Sequence, residues 1–239
     1  GANIGIAMTD AEYALVLNPD TVVPAGAVAT LVAWLDAHPR HAVAGPRLRR
    51  PDGSVQPSRR RFPRPWTPIF ESSVVEEWWP GNPVAARYHL SDVPDDREQD
   101  VDWVVGAAML VRRAAIVQAG GFDESFRMYA EEVEWCWRFR RHGWRTSYVP
   151  AAEIVHHEGA SAAQDLPRRL AEFDASRVQL IGRLYGAGWA RIVRLTILVD
   201  YAIRLLRESA KWLLGHRREL RRARMGFYTA ALRRGLRGR

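Results

Sequence analysis

Three short stretches of this chain carry side chains that could do chemistry: Asn18-Pro19-Asp20, Glu131-Glu132 with Glu134 close behind, and His156-His157. A carboxylate such as Asp20 can hold Mg2+ or Mn2+, cations that prefer oxygen ligands. The same trio also suits a turn in which Asn18 or Asp20 bonds nearby backbone. Glu131 and Glu132 suit the first turn of a helix, where the dipole favours negative charge. The cap is the commoner use of such residues; the other is a general base that takes a proton from a hydroxyl. Crowding among Glu131, Glu132 and Glu134 is expected to raise a carboxylate pKa by mutual repulsion. His156 could complete a site with Asp20, because imidazole also binds Mn2+, or it could be structural. Ser161 and the single cysteine, Cys136, suggest no nucleophilic triad, and Cys136 reads as inert core.

The elements around these residues must deliver them to one place. The apolar run Ala14-Leu15-Val16-Leu17 reads as a buried strand that ends at Asn18, and in open α/β sheets ligands sit at that end. Pro24 opens a helix with Val28, Leu31, Val32 and Leu35 at helical spacing, stopped by Pro39. Val43-Ala44 suggests the next strand. Residues 46–68 read as a hairpin, turning at Pro51-Asp52-Gly53, followed by a mobile loop. Residues 71–100 read as a solvated loop with an acidic end. Val101 to Val111 predicts a strand interrupted at Gly106-Ala107-Ala108, where small residues permit close approach. A short helix from Arg112 to Gln118 should end at Gly120-Gly121. A helix over Tyr129–Arg141 should place Val133, Cys136 and Trp137 on one face and pair Glu134 with Arg138. Thr146 to Val149 reads as a strand broken by Pro150, with a further extended piece from Glu153 to His156. From Pro167 the pattern is helical, with Ile192, Leu195, Val199, Ile203, Leu206, Ala210 and Leu213 in one apolar stripe.

Composition sets the outer bounds. The chain has 239 residues, 47% hydrophobic and 26% charged, which marks a globular chain rather than a disordered one. With one cysteine no intrachain disulfide can form, which fits a reducing compartment. Net charge is −4 over residues 1–159 and +12 over 160–239. The basic third therefore calls for an anionic partner: lipid headgroups, nucleic acid or a polyphosphate. Too many charges interrupt the helical pattern for an ordinary membrane span. Two regions follow, 1–165 carrying the candidate site and 166–239 a basic amphipathic helical region.

Taken in order, the motifs resemble the family 2 glycosyltransferases, in particular the bacterial rhamnosyltransferase-like branch. The resemblance runs through Gly1-Ala2-Asn3-Ile4-Gly5-Ile6, Tyr13 to Asp20, Gly45-Pro46-Arg47-Leu48 with Asp52-Gly53-Ser54, and Trp103 to Arg113. It continues through Gly121-Phe122-Asp123-Glu124, Met128 to Arg138, and Val149-Pro150 to His156-His157-Glu158-Gly159-Ala160-Ser161. It implies a glycosyltransferase-A fold, a Rossmann-like α/β sheet that binds a nucleotide sugar and a divalent metal, Mn2+ or Mg2+. Asp20 lies where relatives carry Asp-x-Asp and is the implied metal ligand, with Asn18 in place of the first aspartate. Glu132, or Glu131 in its stead, is the implied catalytic base. His156 matches a metal-ligand histidine of related galactofuranosyl transferases. Asn3, Asn18, Asp20, Trp103 and Gly106 are the implied donor- and acceptor-binding residues. In this family a strand with a nucleobase-binding aspartate and an adjoining helix come first. The resemblance begins after them, so it implies that the N-terminal part of the fold is missing from these 239 residues.

The expectation is an inverting hexosyltransferase. It would use a nucleotide-sugar donor, with dTDP-rhamnose favoured, and a cell-envelope glycan or polyprenyl-linked acceptor. The basic helices, with Trp189 and Trp212, suit a membrane surface, placing the protein at the cytoplasmic face of a bacterial inner membrane. Their stripe could instead pack on the catalytic region or on a second copy in a homodimer. Two other classes stay open: a non-catalytic fragment or interaction subunit, and a nucleic-acid-binding module using the arginine-rich tail, against which the acidic first two thirds speak.

Overall fold

The computed structural model of the chain describes residues 1–157 and 166–234. In chain order its elements are α1 (Ala2–Ala7), β1 (Tyr13–Leu17), β2 (Thr21–Val22), α2 (Ala27–Ala37), β3 (His41–Arg49), β4 (Val55–Gln56), β5 (Arg59–Arg60), α3 (Thr67–Phe70), α4 (Val74–Trp78) and α5 (Pro83–His89). They continue with β6 (Gln99–Val101), β7 (Trp103–Val104), β8 (Ala108–Arg112), α6 (Arg113–Ala119), α7 (Glu131–Arg141), β9 (Arg145–His156), α8 (Leu166–Tyr185), α9 (Ala187–Leu213) and α10 (Arg218–Arg234). The chain divides into two compact units: one of Gly1–Phe62, Arg87–Phe126 and Glu131–Gln164, the other of Pro63–Ala86, Arg127–Ala130 and Asp165–Arg239. The helical unit is thus larger than the 166–239 region read from the sequence.

The first unit is built on a mixed sheet in the order β1-β8-β3-β9-β2, with β4 on β3 and β6 on β9. β3 and β9 run parallel, and β8 lies antiparallel between β1 and β3. Leu31 and Leu35 of α2 pack on Ala44, Leu110, Val149 and Ala152 of three strands, a dry cluster whose burial favours this layering. Arg112 ties that layer down: its guanidinium donates to Leu35 O at the end of α2 and to His41 O at the start of β3. A second cluster, Ala27, Leu48, Ala107, Ala108 and Ile154, packs around the gap between β7 and β8. The interruption at Gly106 is present, and Gly120 ends α6 with φ of 79°.

Several local expectations need correction. The hairpin is there, β3–β4 turning through Gly53 with φ of 82°. The segment after it is not a free loop: β5 pairs with β7, and Ser58, Arg59 and Phe62 are buried. Residues 71–100 are not a solvated loop either, since they hold α4, α5 and β6 with Asn82, Val74 and Leu90 buried. The acidic end is spent on specific partners: Asp100 accepts from Ser147 at 3.0 Å and from His41 at 2.8 Å. Pro150 does not break the strand. β9 runs through it with a register shift, Pro46 facing Val149 and Arg47 facing Glu153, and a bulge is where a strand tolerates a residue without an N–H. Glu134 and Arg138 form the expected pair at 2.9 Å.

In the helical unit, Ile181, Val193, Ile197, Tyr201 and Ala231 form a core among α8, α9 and α10. Glu208 of α9 is buried against Arg221 of α10 at 2.7 Å. The stripe read from the sequence is not this core face. Its Leu195, Leu206 and Leu213 are 63%, 70% and 72% exposed. α9 is apolar on two sides, and periodicity alone picked the outer one. No helix among the described residues is long and apolar enough to cross a membrane.

Gly45 makes the packing of β3 testable. A Cβ there would stand 2.7 Å from both methyls of Val104, itself buried and β-branched. Gly45→Ala should lower stability by about 1–3 kcal/mol through overpacking. Urea unfolding checks this; an unchanged midpoint would show that β7 moves freely.

Candidate functional site

The site forms where β1 gives way to β2. The Asn18 N–H donates to Ala107 O at 2.9 Å, so the chain stays pinned to the neighbouring segment past the end of β1. Thr21 Oγ1 donates to Asn18 O at 2.7 Å and closes the turn. β2 then pairs with the end of β9, Thr21 opposite His156, and the His157 N–H donates to Asp20 O at 2.8 Å. These backbone bonds bring Asp20 Oδ1 to 3.2 Å from His156 Nε2, with Asn18 Nδ2 3.5 Å from the same nitrogen. The far side of the ring meets Gln56, whose Oε1 lies 2.9 Å from Nδ1. An amide oxygen can only accept, so Nδ1 carries a hydrogen. Nε2 therefore points either a lone pair or a second proton at the Asp20 carboxylate. A lone pair against a carboxylate oxygen is repulsive, so the pair is arranged for a proton or a cation between them.

The donor set fits one kind of cation. Among the described residues no group of three or more His, Cys, Asp or Glu is placed to hold a metal. A closed structural zinc site, which needs four protein ligands, does not match. Mg2+ or Mn2+ held by one or two protein groups, with water and phosphate completing the shell, does. The 3.2 Å separation suits it, since neighbouring ligands of an octahedral ion with bonds of about 2.1 Å lie roughly 3 Å apart. Gln56 is placed as an outer partner that would fix the ring of His156 if it held a metal.

The second cluster faces Gly106, the residue next to Ala107. Glu132 Oε1 lies 3.5 Å from the Gly106 N–H, and a Cβ on Gly106 would meet the Glu132 side chain at 3.6 Å. Residues 106–107 thus touch Glu132 on one side and hold Asn18 on the other. Burial pushes the Glu132 carboxyl up to about 7, with the charge of Glu131 adding to the effect. Burial also raises Glu131, whose Oε2 is enclosed without a hydrogen-bond partner among the described residues. The expected cause was repulsion within the trio; desolvation outweighs it, and Glu134 has left the trio to pair with Arg138. Just before α7, Tyr129 and Ala130 both take left-handed backbone, φ of 67° and 68°. For residues with a Cβ this costs about 1–2 kcal/mol each. Such strain gathers at functional sites.

Two of the implied binding residues, Trp103 and Asn3, have their polar groups bonded within the fold. Trp103 is buried: its indole donates to Arg61 O at 3.0 Å and it pairs on β7 with Arg60. Asn3 uses both ends of its amide internally, donating to Phe122 O and accepting from the Phe122 N–H. His157 is exposed and contributes its backbone. Glu158 to Ser161 lie outside the described residues. Gln56 was missed, because a lone glutamine three residues past a turn carries no signal until its strand is paired.

The glycosyl transferase family group 2 model matches residues 13–229. Over 193 residues the chain is 34% identical to the N-acetylglucosaminyl-diphospho-decaprenol L-rhamnosyltransferase of Mycobacterium tuberculosis, covering 81% of this chain and 62% of that protein. It is 28% identical over 153 residues to the rhamnosyltransferase WbbL of Escherichia coli K12, covering 62% of this chain and 53% of the relative. The chain thus spans less than two thirds of either relative's length. Among solved structures, GalNAc-T7 with UDP, GalNAc and Mn2+ overlays with a TM-score of 0.49 at 14% identity, over 95% of this chain and 39% of that one. The mixed sheet with flanking helices is the glycosyltransferase-A type of α/β fold, and the chain belongs to the family 2 glycosyltransferases.

Proposed function

We propose that the chain carries the metal-binding and acceptor-activating part of an inverting hexosyltransferase. The donor is a nucleotide-diphosphate sugar, dTDP-rhamnose or a similar hexose, and the acceptor a lipid-linked or cell-envelope glycan. One observation carries the reading: Gly106-Ala107 join a raised carboxylate, Glu132, to the turn that aims Asp20 at His156. The mycobacterial relative's name specifies a decaprenol-linked acceptor and a rhamnosyl product, which supports this choice of substrates.

Glu132 takes the proton of the acceptor hydroxyl as its oxygen bonds to the anomeric carbon. The bond from that carbon to the diphosphate breaks on the opposite face, its electron pair leaving with the phosphate oxygen, and the configuration inverts. A carboxyl near 7 suits this, because it is a stronger base than an ordinary carboxylate and is still ionised in good part at neutral pH. Asp20 and His156 would hold Mg2+ or Mn2+, which when bound neutralises charge on a departing diphosphate. Asn18 and the Gly106 backbone border the space between the two clusters.

The exposed stripe of α9, with Arg191 near one end and Arg217, Arg218 and Arg222 near the other, supports binding to a membrane surface. The cytoplasmic face, where the anionic leaflet lies, is the side this chemistry favours.

Three outcomes follow. Glu132→Gln should lower turnover by about 10²–10⁴-fold while leaving donor affinity within about twofold, and the wild-type rate should climb with pH through about 7. Because the folded pKa is raised, the wild type loses stability as pH rises from the ordinary carboxylate range toward 7. Glu132→Gln should therefore be the more stable protein at pH 8, by on the order of 3 kcal/mol; undiminished turnover sinks the assignment. Second, Mn2+ titration followed by electron paramagnetic resonance should show Asp20→Asn and Gln56→Ala each weakening binding at least about tenfold. Equal binding by all three proteins removes the metal from this turn. Third, the chain should sediment with vesicles containing anionic lipid, and Leu206→Gln with Leu213→Gln should abolish this. Sedimentation indifferent to lipid charge and to these changes counts against the surface.

A further inference from the structure

The helical unit contains a cavity of about 470 Å³ between α3–α4 and α8–α10. That size falls in the range of ligand pockets. Its walls are mainly apolar, with Ile69, Val75, Phe173, Ile197, Ile203 and Phe227 among them. The ionic groups that reach it are already paired. Asp174 accepts from Arg177 and from the Tyr201 hydroxyl, and Arg177 also meets Glu71 at 2.9 Å. Asp200 holds Arg204 at 2.6 Å and accepts from the Val74 N–H at 2.6 Å. Two carboxylates and two guanidinium groups on the lining leave no net charge, so the walls offer nothing to an ionic ligand. The cavity is also continuous with the outer stripe of α9: Leu195 and Val199, 63% and 50% exposed, line it.

A half-open apolar cavity with neutralised walls selects a hydrocarbon, and a mouth on an exposed apolar stripe selects one that arrives from a lipid phase. We propose that this cavity holds the hydrocarbon chain of the lipid-linked acceptor, its α9 mouth lying on the membrane that presents the chain. This rests on the acceptor class given above and adds where its lipid part is held. The occupant is a chain and not a headgroup, because the exposed arginines at the turn into α10 are absent from the lining.

The test needs neither donor nor transfer. The full chain is titrated calorimetrically with farnesyl phosphate and with isopentenyl phosphate, which share a headgroup and differ in chain length. The 15-carbon probe should bind at least tenfold tighter. Ile203→Trp and Val199→Trp, each filling the cavity, should weaken it at least tenfold with circular dichroism unchanged. Leu213→Gln, on the stripe beyond the cavity, should leave it within twofold. Equal affinity for the two phosphates assigns the binding to a headgroup and overturns the proposal, as does absent binding or unaltered binding by both folded tryptophan variants. A dimer in sedimentation whose probe affinity falls as it forms assigns the stripe to a second copy and overturns it too. Glu132→Gln keeps the cavity intact, so failure of the transferase assignment leaves this titration standing, and failure of the titration leaves the Glu132 results untouched.

Discussion

The parallel ladder between β3 and β9 is the constraint from which the site follows. It runs from His41 opposite Arg145 to Arg49 opposite Val155. Parallel strands can only be joined by a long crossover, so the segment between them has room for β8, α6 and α7 on the way. The ladder fixes where β9 ends, and that end pairs with β2. Asp20 and His156 meet because two strand ends meet. The Pro150 bulge belongs to the same constraint: it absorbs the extra residues of β9 that would otherwise change the face His156 presents.

Small residues do the rest. Between β7 and β8 the chain passes Gly106-Ala107, and neither side chain fills the space beside Glu132. The fold accepts costs here that it avoids elsewhere. A carboxylate is desolvated until its pKa stands at about 7, a second is enclosed with one oxygen unpartnered among the described residues, and two residues with side chains are left-handed immediately before the helix. The clusters on α2 and around Ala107 offset these costs through burial. For Glu132 as the base proposed above, stability and chemistry pull against each other.

The parts of the fold legible in the sequence were those with local cause. β1, α2, α6 and α7 follow from apolar spacing, Pro24 and Gly120, and the Glu134–Arg138 pair follows from i,i+4 geometry. Asp20, Glu132 and His156 stood out through residue type and order, and the turn now places Asp20 beside His156. What could not be read depends on partners distant in the chain. Gln56 matters only because β4 pairs with β3, and Trp103 is core only because β7 meets β5. Residues 71–100 looked like loop because their helices are short and lack an apolar period.

α9 shows why periodicity can mislead even when it is strong. A helix with one apolar face has one answer; a helix with two has a choice that only its neighbours make. Tyr201, Val193 and Ile197 face α8 and α10 because those helices supply Ile181 and Ala231, and because Glu208 finds Arg221 there. The stripe at Leu195, Leu206 and Leu213 is left outside. The same pairing explains the charge. Asp174, Asp200 and Glu208, half of the six acidic residues in positions 160–239, are used on internal pairs. Solvent at the turn into α10 therefore meets arginine, and meets it beside leucine. An exposed apolar row flanked by exposed positive charge is a surface for which water is a poor match and an anionic lipid face a good one.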